Sequence, residues 1–214
     1  MKTACIGTAV WLLYGTTLQA GGVERSSQFL GPLFEPGNYL ELSYGHVSPG
    51  ITGTDLPLGL YSGGERTGNI APSYSNFGFA YKHQFNDLWS AAIILDQPFG
   101  ADIAYPTSGS INLGGTGVVI NNTDLTGIIR VAVPESGFGV HAGLRGARTD
   151  GRVTLAGAAF GPISGYRVDA DRDIAYGWLA GVSWERPDIA ARVSLTYNAV
   201  IEHDFEIGRA SCRE

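Results

Sequence analysis

Few residues of this chain are spaced to do covalent chemistry. Asp169, Asp171 and Asp173 alternate in a short acidic run, an oxygen cluster of the kind that can hold Ca²⁺ or bridge a divalent cation to lipopolysaccharide. The Gly and Glu of a calcium loop are missing at the required offsets, so the run reads as a solvated strand next to a loop. The four histidines, His46, His83, His141 and His203, fall in or near strand-like runs, and the sequence holds no Gly-x-Ser-x-Gly elbow. Without a nucleophile, base and orienter in reach of one another, acyl transfer is not expected. The chain is expected not to be an enzyme and to need no cofactor or metal.

Binding is the better use of its side chains. Phe99, Ile103 and Tyr105 lie in one long connection, and Leu155, Phe160, Ile163 and Tyr166 in another. Apolar residues gathered on loops commonly mark a ligand site, although they can equally pack on one another as a lid. Phe99, Ile103, Tyr105 and Phe160 are the candidate contacts for an apolar ligand. Arg145 and Arg148 are the candidate partners of a carboxylate head group.

The elements that must carry these residues show in a period-two alternation between Gly37 and Glu206. Seven runs follow it: Tyr39–Val47, Tyr74–Phe85, Trp89–Asp96, Asp124–Val133, Phe138–Ala147, Asp173–Glu185 and Ile189–Asn198. Each has one face free of charge, such as Phe138, Val140, Ala142 and Leu144 in the fifth run. The other face is mixed and carries Glu41, Lys82, Asp96, Arg130, Arg145, Glu185 and Arg192. Facing lipid, a midplane Arg or Lys costs roughly 2–4 kcal/mol, whereas facing a lumen it can pair. Short turns at Asn86-Asp87, at 134–137 and at 186–188 alternate with long links near 48–72, 97–123 and 148–172. That asymmetry belongs to transmembrane antiparallel barrels, whose strands cross a bilayer in about ten residues. Barrels of this kind have even strand numbers and no edges, so seven strands are expected to be part of a larger wall.

Composition agrees. Charged residues make up 16%, aromatics 11%, and mean hydropathy is +0.04, with 31 glycines. Residues 1–20 read as a cleaved secretory signal peptide, with Lys2, an apolar stretch from Ala4 to Leu13 and a cleavage site at Leu18-Gln19-Ala20. Residues 207–214, Ile-Gly-Arg-Ala-Ser-Cys-Arg-Glu, resemble a translated short-read sequencing adapter and are expected to have no consistent place in the fold. Cys5 and Cys212 fall in these two segments, leaving no cysteine for a disulfide or thiolate site between 21 and 206. That span carries eleven basic and nineteen acidic residues, a net charge of −8, which argues against a nucleic-acid partner.

Three stretches carry a family resemblance. They are Gly37–Pro49 with Gly53-Thr54-Asp55; Tyr81-Lys82 with Asp96–Pro106, including Asp96-Gln97-Pro98-Phe99-Gly100; and Glu185–Val193 with Leu195-Thr196-Tyr197, including Arg186-Pro187-Asp188-Ile189-Ala190. Together they resemble the outer-membrane FadL/TodX/OMPP1 family of long-chain fatty-acid and hydrocarbon transporters. The resemblance implies a fourteen-stranded barrel with an N-terminal hatch in its lumen. Residues 21–36 would be a short hatch-like segment and 37–206 the N-terminal half of the barrel. The family's Asn-Pro-Ala hatch motif is absent here. The implied function is passive uptake of hydrophobic small molecules, long-chain fatty acids or hydrocarbons, by a protein of the bacterial outer membrane. Its partners would be outer-membrane lipid, lipopolysaccharide and the substrate, and the full-length protein would be a monomer. A general porin or a structural or adhesive barrel is the alternative.

Overall fold

A computed structural model describes residues 24–26, 28–133 and 135–211. The signal-peptide expectation for residues 1–20 falls outside them. The wall is one antiparallel sheet curled into a half-barrel, with strand order β1-β2-β3-β5-β6-β7-β8. Its strands are β1 (Tyr39–Val47), β2 (Tyr74–Gln84), β3 (Trp89–Asp96), β4 (Gly100–Ala104), β5 (Gly117–Ala132), β6 (Phe138–Thr154), β7 (Arg167–Arg186), β8 (Ala191–Asn198) and β9 (Ile207–Ser211). Seven strand positions are therefore filled, one for each alternating run. β4 pairs β5 above β3, and β9 pairs β7 above β8, so each continues the strand position of its predecessor.

Tight turns close one rim. The Asn86 carboxamide accepts from the N–H groups of Leu88 and Trp89 at 2.9 and 2.8 Å, setting the β2–β3 turn. At the β5–β6 turn Gly137 has φ 74°, and a Cβ there would stand 2.3 Å from the Glu185 carbonyl oxygen, so only glycine fits. Pro187–Ile189 forms a 3-10 turn ended by Ala190 at φ 51°, which takes Ile189 out of the seventh run.

Three strands are longer than their alternating runs. β5 begins at Gly117 rather than Asp124, β6 continues to Thr154, and β7 begins at Arg167. These extensions, and β4, replace parts of the links expected to be loop. The expectation for 207–214 is also corrected in part, because Ile207–Ser211 lies antiparallel against Arg167–Ala170 of β7. An unpaired strand edge accepts any extended backbone, so this pairing locates the segment without bearing on what encoded it.

Burial is inverted relative to a water-soluble sheet. Lys82 is 2% exposed and Arg145 6%, while Leu144 is 74% and Tyr176 79% exposed. The buried members of β2, β3, β5, β6 and β7 (Ala80, Ser90, Ala92, Ile94, Thr126, Ile128, His141 and Ser183 among them) all belong to the mixed face. The charge-free faces of all seven positions point outward. An apolar outer face and a polar inner one suit a wall in lipid. On β7 the apolar outer face runs from Ile174 to Trp184. At about 3.3 Å per residue and a tilt near 40°, this covers about 25 Å, the usual height of a barrel's apolar band.

The short N-terminal segment fills the concave side. Gly31–Phe34 forms a 3-10 turn whose Leu33 is wholly buried against Ala80, Ala92, Ile94, Ile128 and Leu179. Though only a few residues long, it plugs the inner surface of this half of the wall.

Candidate functional site

The inner surface has a polar floor, an apolar upper part, and a break in the wall beside them. On the floor Arg130 pairs with Glu185, and the guanidinium carbons of Arg130 and Arg192 lie 5.1 and 4.9 Å from the Phe34 ring centroid. His141 meets the same ring edge-on at 5.9 Å. Lys82 donates to the Glu35 carbonyl and to Gln84 Oε1. Arg145 donates to Gln28 Oε1 and to Thr126 Oγ1, and stands 3.9 Å from Asp124. Cations delivered by strands on the polar phase thus grip a plug that the chain itself supplies.

Of the expected lumen charges, Lys82, Arg130, Glu185 and Arg192 hold the plug's Phe34–Glu35 end. Glu41, which accepts from Tyr39 at 2.9 Å, and Asp96 lie apart from them. These two border a separate 250 Å³ cavity with Ser26, Phe29 and Pro32.

Higher on the same strands the two faces exchange character. The register sets Asn121 against Asp150 and Val119 against Arg152, and Arg152 against Asp169. These residues continue the outer face, which apart from Val119 is now polar. Asp169 takes hydrogen bonds from Arg152 first and Arg167 second, which hold its carboxyl below the usual value. The inner face becomes apolar: Ile103 opposes Val118, Val118 opposes Val153, and Val153 opposes Val168. A 320 Å³ pocket lies on this surface, lined by Ile120, Val153, Val168, Ala170, Phe205, Thr149 and His203 among others. His203 Nδ1 lies 2.8 Å from Asp173 Oδ2, and its Nε2 lies 3.3 Å from Thr149 Oγ1. Asn122 donates to Thr149 Oγ1 at 3.1 Å and to Asp124 Oδ1 at 3.0 Å.

The acidic run is split by this arrangement. Asp169 faces outward between two arginines, and Asp173 turns inward to His203, with an irregular register around Asp171 and Arg172. Among the described residues no cluster of metal-ligating side chains occurs.

The wall breaks where β3 ends. β2 pairs β3 only from Phe79↔Leu95 to Gln84↔Ser90, yet β2 continues beside β1 as far as Tyr74. Beyond Asp96 the chain passes through Gln97–Phe99 and resumes as β4, which is paired to β5 alone among the strands. Tyr74–Gly78 thus has no strand partner on that side. Across the opening Gln97 Oε1 accepts from the Phe77 N–H at 3.1 Å, and at its top the Ala104 N–H donates to the Ile70 carbonyl at 2.9 Å. Arg25 reaches both sides. Its N–H donates to the Pro98 carbonyl at 2.7 Å, and its guanidinium stacks 4.4 Å from the Tyr74 ring centroid. Gly100 makes room for it, since a Cβ there would stand 2.5 Å from the guanidinium.

The expected ligand contacts are dispersed. Tyr105 lines a 400 Å³ cavity among the outer loops with Leu56, Leu58, Ile70, Leu113 and Ala159. Ile103 lies on the inner face of β4, Phe99 at the wall break bridged to Glu24, and Phe160 on a 3-10 turn beside that loop cavity. Arg145 and Arg148, three residues apart on one strand, face opposite ways. Arg145 is buried inward, while Arg148, opposite Ile174, is exposed on the outer face. Arg25, Phe34, Thr149, His203 and Phe205 were not anticipated, and nothing local in the sequence marks them.

The same architecture occurs in a solved structure, the crystal structure of a Pseudomonas aeruginosa FadL homologue, with 18% sequence identity and a TM-score of 0.50. The likeness covers 77% of this chain and 42% of that one, so the chain spans less than half that protein's length. No family model matches the sequence, and no curated protein does. The likeness establishes the fold.

Proposed function

We propose that the chain forms the N-terminal half of an outer-membrane barrel that takes up hydrophobic small molecules passively and releases them sideways through its wall. The break between β2 and the β3–β4 position carries this proposal. An apolar molecule on the upper inner surface meets charged, plugged polar surface below it. Crossing that floor would cost desolvation of buried charges. The break lies at the boundary between the two surfaces and opens toward the apolar outer band, where an apolar molecule is stable. The FadL-type fold supports the same reading, and so do the apolar residues of the upper strands and loops. A general porin fits less well, because Leu33 and Phe34 cover the inner surface at the level of Arg130 and Glu185.

The test is a reversible clamp across the opening in the complete barrel. Phe77→Cys and Gln97→Cys would be bridged with a short bifunctional thiosulfonate, and uptake of a labelled long-chain hydrocarbon compared before bridging, after it, and after reduction. The proposal expects a fall of about tenfold that reduction restores, as befits removal of a favoured route. Uptake unchanged in a bridged, heat-modifiable barrel would exclude the lateral route.

A further inference from the structure

The pocket under Phe205 carries information about the head group of what it binds. Its long wall is apolar, formed by Ile120, Val153, Val168, Ala170 and Phe205. At its polar end Thr149 and His203 line it, and Asp173 backs the imidazole. The hydrogen bonds run in one sense. With Nδ1–H donated to Asp173, Nε2 accepts the Thr149 hydroxyl, and Thr149 in turn accepts from Asn122. The cations nearby are committed elsewhere. Arg152 borders the pocket but pairs with Asp169 on the outer face. Arg145 is engaged by Asp124, Thr126 and Gln28 lower down.

We infer that this pocket binds amphiphiles with a neutral hydroxyl head, long-chain alcohols as a class, in preference to carboxylates. The inference rests on the uptake proposal above and narrows its substrate class. A hydroxyl can donate to His203 Nε2 in place of Thr149 and accept from the freed Thr149 hydroxyl, so every polar atom stays paired. A carboxylate would enter an apolar cleft beside the Asp173 carboxylate with no uncommitted cation in the lining, and burial of an unpaired charge is strongly unfavourable. Thr149, His203 and Asp173 also have the connectivity of a nucleophile, base and orienter. Asn122 holds Thr149 Oγ1 in place and leaves its second lone pair free to take a ligand's hydrogen bond, and the group is assigned to binding.

The experiment measures saturable binding of radiolabelled 1-decanol and decanoate at pH 7.4 to the complete barrel in lipid nanodiscs, with empty nanodiscs correcting for partition. The alcohol should bind about tenfold tighter or more. His203→Leu should abolish that preference. Thr149→Val, which keeps the side chain's shape, should weaken the alcohol and leave decanoate unchanged. Decanoate binding as tightly as decanol would overturn the inference and leave the uptake proposal standing. Saturable binding of neither would count against both. Hydrolysis of p-nitrophenyl decanoate that is lost in Thr149→Val would replace the binding role with a catalytic one.

Discussion

The lower and upper halves of β5 and β6 are built on one pleat but with opposite polarity, and β7 follows them through a bulge at Asp171-Arg172. On β6, Val140 and Leu144 face out while His141 and Arg145 face in; higher up, Asp150 and Arg152 face out while Gly151 and Val153 face in. The change occurs around Arg148 and Thr149. Nothing in the backbone alternation changes there on β5 or β6, so the inversion follows the surroundings of each half. In the proposed membrane barrel lipid surrounds the lower half, and the plug fills its inside. In the same barrel water surrounds the upper half, whose inside is apolar. A strand's alternation on this reading reports two environments at once, and the level of the inversion is the expected edge of the membrane.

The largest expected effect comes from breaking the lower half. Leu144→Arg puts a cation in the apolar band and should cost roughly 2–4 kcal/mol, whereas Asp150→Arg, on the same face above the inversion, should stay within about 0.5 kcal/mol. Denaturant titration of barrels folded into lipid vesicles measures both, and equal costs would erase the distinction between the halves.

A smaller loss is expected inside. Glu185→Gln removes the partner of Arg130 next to Phe34. The pair is partly exposed, which reduces the cost of leaving one charge unpaired to about 2 kcal/mol. Glu41→Gln, away from the plug's grip, should lose less by the same titration.

Arg25→Ala tests the boundary between the halves. Losing the stack on Tyr74 should loosen the latch, raising hydrocarbon uptake about twofold to fivefold with little change in stability, because a cation–π contact of this kind is worth about 1 kcal/mol. Unaltered uptake would show that Arg25 does not hold the opening.

The smallest effect is in the loops. Burial pushes the Asp55 carboxyl up, but hydrogen bonds from Ser110 and the N–H groups of Asn112 and Ile111 more than offset it and hold the value below that of an ordinary carboxylate. A lowered folded value means that the contribution is present at neutral pH and is lost as pH falls through it, below 3.8. Hydrogen exchange at the Ile111 and Asn112 amides should speed up over that acid range in the native chain, and Asp55→Asn should bring the faster exchange to neutral pH.

The lower half was legible in the sequence because one face there is free of charge, and the seven runs became the seven strand positions. The upper extensions obey the same period, but on β6 in the opposite sense, with Asp150 and Arg152 at the positions of the charge-free face. Two irregularities hide the continuity, one at Asp171-Arg172 and one at Gln97–Phe99, so a search for a charge-free outer face ends at Asp124, Ala147 and Asp173. The loop aromatics Phe99 and Phe160 were visible as apolar residues on long links outside the alternating runs. Their separation in space was not, because it depends on how β4 docks. The strand arginines' grip on Phe34 and the meeting of Thr149, Asp173 and His203 join segments far apart in sequence, and no local pattern encodes such encounters.

The inversion itself can be read out by spin labels placed singly along β6 from position 140 to 153 in the complete barrel in lipid, comparing collision with oxygen and with a water-soluble nickel chelate. Oxygen-dominated contact is expected at 140, 142 and 144, and chelate-dominated contact at 150 and 152, with the crossover near 148. Oxygen-dominated contact continuing along the even positions through 152, or a chelate-accessible 142 and 144, would contradict it.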